Sequence, residues 1–285
     1  MYVYTGSGKL INLNTGGAAA PDTSFTPWDD VLHRGWHEGV PDNTLPAYYL
    51  MKQKGYYWGE CDVRLSADGI PVLCHDSTVT GTLNGVSTTL TVAESNAADI
   101  TALVLKKHAT FGDIHPCTLA ELLELARTID IGIVIDFKSC AAFYSEPGAT
   151  AVANAVMNAG CSDRVVYMPI TTNNAQWIQA IDKNASFDFV SGVIALDKLP
   201  DLAPYQALRT GSNTVGFDFQ AGIGDDVLQA VKDAGLSISF WNVSNTSQFE
   251  KGAKRITYNS YSNAHLGRDY IRQKQSDLAA KYPAI

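Results

Sequence analysis

From residue 31 onward the chain alternates short apolar segments with amphipathic ones, and few architectures accommodate that alternation. Strand candidates are Val31–Gly35, Tyr57–Arg64, Pro71–Asp76, Gly132–Lys138, Arg164–Ile170, Phe189–Leu196, Thr214–Gln220, Ser237–Val243 and Lys254–Asn259. Most are near-continuously apolar, as strands covered on both faces are. Helix candidates lie between them: Thr44–Lys54, Leu119–Thr128, Ala149–Gly160, Asn174–Lys183, Asp225–Gly235 and Ser247–Gly252. Thr118 with Glu121 forms a capping box for the second of these, and several end at a glycine. Repeated strand–helix alternation implies a parallel sheet, and 285 residues accommodate a single α/β barrel of about 250 residues. There is one strand candidate more than a closed barrel needs, so either Phe189–Leu196 or Thr214–Gln220 is expected to be peripheral or split.

Residues 1–26 stand apart as an N-terminal extension and linker. Tyr2–Tyr4 and Leu10–Leu13 flank Gly6-Ser7-Gly8, which reads as a small hairpin, and Gly16–Pro21 reads as a linker. Residues 27–285 are expected to form one domain. Within it residues 76–117 form an irregular insertion after the third strand candidate, on the side where a barrel keeps its active site and where a lid would sit.

Composition narrows the function. Hydrophobic residues make up 46% of the chain, enough for a large core. With 21 Lys and Arg against 29 Asp and Glu the net charge is −8, which argues against a nucleic-acid partner. The five cysteines, Cys61, Cys74, Cys117, Cys140 and Cys161, are odd in number and contain no CxxC pair. Neither a zinc framework nor a disulfide scaffold is expected, and the thiols should be reduced. The first residues do not read as a secretory signal, and no apolar run reaches the roughly 18 residues of a membrane span. A soluble chain, cytoplasmic by default, is the expectation.

The polar residues fall at the ends of the first four strand candidates. His33-Arg34 closes the first, Glu60 and Asp62 the second, His75 the third, and Asp136 and Lys138 the fourth. Residues two apart in a strand share a face, so Glu60 and Asp62 point together, as do Asp136 and Lys138. Cys61 and Cys74 then point the other way, into the core. Burying an unpaired carboxylate is costly, so such a concentration needs a common cause. A hard divalent cation, Mg²⁺ or Ca²⁺, supplies one for three carboxylates. Two histidines can serve as acid and base, and Arg34 and Lys138 can neutralise a phosphate.

These residues resemble a known family. His33-Arg34-Gly35, Pro41-Asp42-Asn43-Thr44, Glu60-Cys61-Asp62, Asp68-Gly69 and His75-Asp76 follow in order the HRG, PENT, ExDV, DG and HD elements of the glycerophosphodiester phosphodiesterases. Thr118-Leu119 with Glu121, Ile135–Lys138 and Trp241-Asn242-Val243 also match family positions. The resemblance is dense over residues 33–76 and sparse to about residue 260. It implies a TIM barrel that cleaves glycerophosphodiesters to sn-glycerol 3-phosphate and an alcohol. Glu60, Asp62 and Asp136 would hold the metal, with His33 and His75 as the acid–base pair. Arg34 and Lys138 would contact the phosphate, and Trp241 would lie against the glycerol.

The chain departs from the pattern where Asp42 and Asp136 replace glutamates. It departs again at Thr257-Tyr258-Asn259, where the family has a Thr-Asp pair, and His37-Glu38 occupies the loop after the first strand. Two other readings compete. Phospholipase D-type toxins that cyclise lysophospholipids share the two histidines and the ExD pair. Alternatively, the N-terminal extension attaches the domain to a larger assembly that acts on or binds a glycerol-phosphate polymer. Asn43 and Thr44 read as structural, with Thr44 capping the following helix. His37, His108 and His115 read as loop residues, and His265 has no context.

Overall fold

A computed structural model describes residues 2–4, 10–12, 29–220, 222–241 and 255–259. In chain order, β1 (Tyr2–Tyr4) pairs antiparallel with β2 (Leu10–Asn12), as the hairpin reading expects. Then follow β3 (Asp29–His33), α1 (Leu45–Gln53), β4 (Trp58–Leu65) and β5 (Pro71–Leu73). The insertion contains β6 (Thr78–Leu83), β7 (Val86–Thr91), α2 (Ala97–Ala102), β8 (Lys106–His108) and β9 (Gly112–Ile114). After it come α3 (Leu119–Ile129), β10 (Gly132–Phe137), α4 (Glu146–Ala159), β11 (Val165–Met168), α5 (Thr172–Ile181) and β12 (Ser186–Ser191). The last described elements are α6 (Ala203–Gln206), β13 (Val215–Gln220), α7 (Asp225–Asp233), β14 (Ser237–Trp241) and β15 (Arg255–Asn259). The expected helix at 247–252, Asn242, Val243 and His265 lie outside the described residues, as do the linker at 16–21 and the side chains of Thr257, Tyr258 and Asn259.

Parallel pairings join β4, β10, β11, β12, β13, β14, β15 and β3 in that order, and β3 pairs with β4. The parallel sheet thus curls back on itself, with α helices covering it. Both segments suspected of being peripheral, β12 and β13, are members of this sheet, and β12 begins earlier than expected, at Ser186.

The surplus strand is Pro71–Asp76 instead. Its ordered part, β5, folds back antiparallel on the overhanging end of β4, with Val63 opposite Leu73 and Leu65 opposite Pro71. The reason is length: only residues 66–70 connect the two strands, whereas a parallel crossover needs a dozen or more.

The insertion is also more ordered than its sequence reading. Asn84 and Gly85 at φ +51° and +82° close a two-residue hairpin between β6 and β7, an Asn-Gly turn whose twist suits paired strands. Val92, Ala97 and Ile100 bury against Val72 beneath it.

Side-chain alternation divides the interior. Cys61, Val63, Ile133, Ile135 and Phe137 face the helices and join Leu119, Leu122, Leu123, Val152, Val156 and Ile178 in one large core. Trp58, Val134, Val31, Val166 and Met168 form a second, smaller cluster inside the sheet. Trp58 is on the same face of β4 as Glu60 and Asp62, and Val134 is on the same face of β10 as Asp136. The inward face is therefore apolar at one end and acidic at the other. α3 forms where expected, with the Thr118–Glu121 capping box in place. All five cysteines are free thiols. Among the described residues no helix is long and apolar enough to cross a membrane.

Gly132 pairs in register with Trp58, and a Cβ added there would come within 2.4 Å of the indole. Gly132→Ala is expected to cost about 1–3 kcal/mol through overpacking. A lowered urea midpoint checks this, and an unchanged midpoint would contradict it.

Candidate active site

The acidic end of the inward face is built by two adjacent strands. In their register Val134 stands opposite Glu60, and Asp136 opposite Asp62. One carboxylate oxygen from each of Glu60, Asp62 and Asp136 lies within 4.8 Å of the other two. Glu60 and Asp62 are buried, Asp62 completely.

Two cations answer them. Lys138 places Nζ 2.7 Å from Asp62 Oδ1 and 2.5 Å from Asp136 Oδ2. Arg34 places Nε 2.8 Å from Asp62 Oδ2 and donates from Nη1 to Asp42 Oδ2 at 2.9 Å. Asp42 therefore serves to hold Arg34.

The loop after β3 delivers these groups by adopting uncommon backbone. Arg34 and Asn43 have φ of +59° and +52°, the left-handed region that non-glycine residues seldom enter. That conformation turns the Arg34 N–H onto Glu60 Oε2, at 3.0 Å. It also lets Asn43 grip Asp62 twice: Nδ2 donates to Oδ2 at 2.6 Å, and Oδ1 accepts from the Asp62 N–H at 3.1 Å. Tyr48 of α1 donates to the Glu60 carbonyl at 2.9 Å. Gly35 is obligatory beside them, at φ +76° and with no room for a Cβ against the backbone of Ala47. Thr44 does occupy the N-cap of α1, but its hydroxyl donates to Pro41 O at 2.6 Å instead of capping, which closes the turn that carries Asn43.

The charges respond to this crowding. Burial, and then the charges of Asp62 and Asp136, push the Glu60 carboxyl well above the usual range. Burial also raises Asp136, more than Lys138 offsets. At Asp62 burial is outweighed by Lys138, Arg34 and Asn43, and the carboxyl is held low. Asp62 Oδ1 is buried and meets Lys138 Nζ at 2.7 Å. Three converging carboxylates, two of them with their pKa raised by burial, are a donor set that fits a divalent cation.

The other expected residues arrive by different routes. His33 ends β3 with Nε2 4.0 Å from Glu60 Oε2. Burial and the neighbouring Arg34 lower its pKa to about 4, so its imidazole is neutral at neutral pH. His75 reaches the site on the antiparallel return of β5, where the Cys74 N–H donates to Asp62 O at 3.0 Å. It is not at the end of a parallel strand, contrary to the sequence reading. Its Nδ1 lies 2.8 Å from Asp76 Oδ1. Trp241 ends β14 and donates from Nε1 to Ser191 O at 3.0 Å, which ties it to the β12 rim rather than to the carboxylates.

Sequence reasoning passed over Asn43 as a turn residue and overlooked Tyr48. Asn43 carried a signal, since it lies between two matched motif elements. Tyr48 carried none, as its bond to β4 is made to a backbone carbonyl.

Comparison with known proteins gives a consistent result. The model of the glycerophosphoryl diester phosphodiesterase family matches residues 33–257. A glycerophosphodiester phosphodiesterase from Caldanaerobacter subterraneus is 34% identical over 116 residues, 40% of this chain and 46% of that protein. Glycerophosphodiester phosphodiesterase 1 of Bos taurus is 46% identical over 55 residues, 19% of this chain and 17% of that protein. The chain thus spans less than half the length of these relatives.

Among solved structures, an Oleispira antarctica phosphodiesterase in complex with sn-glycerol 3-phosphate superposes with a TM-score of 0.69 at 19% identity, covering 87% of this chain and 98% of that one. A glycerophosphodiester phosphodiesterase from Parabacteroides distasonis gives 0.62 at 18%, covering 90% and 98%. At these identities the likeness is one of fold.

The raised Glu60 carboxyl has a consequence for stability. A carboxyl whose folded pKa exceeds its unfolded one contributes fully below the unfolded value, and the contribution is lost as pH rises through the folded value. Metal-free Glu60→Gln is therefore expected to melt at a higher temperature than wild type at neutral pH, with the gap closing on acidification. Thermal melts in chelator across pH check this; equal midpoints at neutral pH would contradict it.

Proposed function

Because the chain belongs to the glycerophosphoryl diester phosphodiesterase family, we propose that it hydrolyses glycerophosphodiesters to sn-glycerol 3-phosphate and an alcohol. Glu60, Asp62 and Asp136 hold one divalent cation, Mg²⁺ or Ca²⁺, in this reading. The observation that carries it is the carboxylate triad: two acids whose protons burial favours and a third that is fully buried, all beside Arg34, Lys138 and His33.

A cation bound there supplies Lewis-acid polarisation of the phosphodiester. Arg34 and Lys138 stand where they can hold the phosphate oxygens and stabilise the negative charge that grows during displacement. His33, neutral at working pH, takes the proton from the attacking oxygen: either water, or the glycerol 2-hydroxyl, in which case water then opens the cyclic phosphate to give the monoester. His75 turns Nδ1 to Asp76, which leaves Nε2 to protonate the departing alcohol. Asp136, one methylene shorter than glutamate, would supply the ligand from β10. Trp241 bounds the glycerol subsite from β14.

The test is hydrolysis of glycerophosphocholine followed by ³¹P NMR. Activity is expected with Mg²⁺ or Ca²⁺, to vanish in chelator, and to return when metal is restored. Chelator-insensitive turnover would overturn the metal role. A cyclic phosphate as the stable end product would replace hydrolysis by cyclisation. His33→Ala and His75→Ala should each lower kcat by about 10²–10⁴-fold while the melting temperature holds. Full activity in either variant would remove that histidine from the mechanism.

A further inference from the structure

Glu60, Asp62 and Arg64 alternate along β4, so the strand that offers two carboxylates presents an arginine next on the same face. Arg64 is one residue pair beyond the site, where β4 overhangs and pairs with β5. Its guanidinium spans a gap between two chain segments. Nε donates to the backbone carbonyl of His75 at 2.9 Å, and Nη1 donates to that of Ser139 at 3.3 Å. Ser139 directly follows Lys138, whose own N–H donates to Val63 O at 3.0 Å.

One side chain thus fastens the loop carrying one proposed acid–base group to the loop carrying one proposed phosphate ligand. The chemistry of the residue suits the task. A guanidinium offers several donors in one rigid plane and can serve two carbonyls at fixed separation, which a single ammonium on a flexible stem does poorly. The bond is needed because His75 follows a three-residue strand and is itself substantially exposed, so packing alone does little to set its place.

We propose that Arg64 is a positioning residue, which sets the imidazole of His75 relative to Lys138 and the carboxylates by clamping the His75 and Ser139 carbonyls. The inference rests on the reading of His75 as an acid–base group. It assigns Arg64 no contact with the substrate, and this distinguishes it from Arg34.

The experiment is a double-mutant cycle on the full chain, with metal present and glycerophosphocholine as substrate. Misplacing a reacting group by about 1 Å can cost up to about 10²-fold, so Arg64→Gln should lower kcat by about 10–10²-fold with KM changed by less than about twofold. Arg64→Lys should recover part of that loss. In a His75→Ala background Arg64→Gln should cost nothing further, while in a His33→Ala background its cost should persist.

An undiminished kcat in Arg64→Gln overturns the proposal. So does a rise in KM with kcat intact, which would mean direct substrate contact. A cost that survives in the His75→Ala background also overturns it, because a general loss of structure would behave that way. If Arg64→Gln fails to fold, Arg64→Lys carries the same cycle. Full activity in His75→Ala alone would instead refute the reading of His75, and that outcome is separate from the others.

Discussion

Three carboxylates stand within 4.8 Å of one another at the mouth of the parallel sheet, and like charges so close repel unless something positive lies among them. Much of the local structure answers that repulsion. Lys138 reaches Asp62 and Asp136 from β10, and Arg34 reaches Asp62 from the loop after β3. Arg34 and Asn43 accept left-handed backbone so that an N–H and an amide can reach Glu60 and Asp62. Yet the cations do not offset the burial of the site: the Glu60 and Asp136 carboxyls both stay raised above the usual range. A doubly charged ion among the three would complete the balance, and the same ion would draw charge from a phosphate. Binding and catalysis then share one electrostatic cause.

Much of this was legible in the chain itself. Near-continuous apolar segments alternating with amphipathic ones announce a parallel sheet, and eight of them build it. The spacing of Glu60 and Asp62, with an apolar-facing Cys61 between them, places the two acids on one face because strand side chains alternate. The Thr118–Glu121 box at the start of α3 is equally local in its logic.

What the chain concealed has a physical reason in each case. The third strand candidate was assigned to the parallel sheet on its apolar character, yet the short connection at 66–70 dictates an antiparallel return. That return brings the segment carrying His75 back toward Asp62, by a route the sequence reading did not expect. The Asn84-Gly85 turn was overlooked because the flanking segments are rich in threonine rather than apolar, and their faces are largely exposed. The bond from Tyr48 to the Glu60 carbonyl and the clamp of Arg64 depend on backbone atoms brought close by the fold. Side-chain pattern carries no record of those.

The carboxylate triad as a cation site is the claim on which the rest depends. Calorimetric titration of the metal-free protein with Mg²⁺ and with Ca²⁺ tests it most directly, with Asp62→Asn as the comparison. The account predicts one ion bound per chain, and binding that collapses in the variant while its fold persists. Undiminished binding in Asp62→Asn, or no binding by a wild-type chain that still hydrolyses glycerophosphocholine, would contradict it.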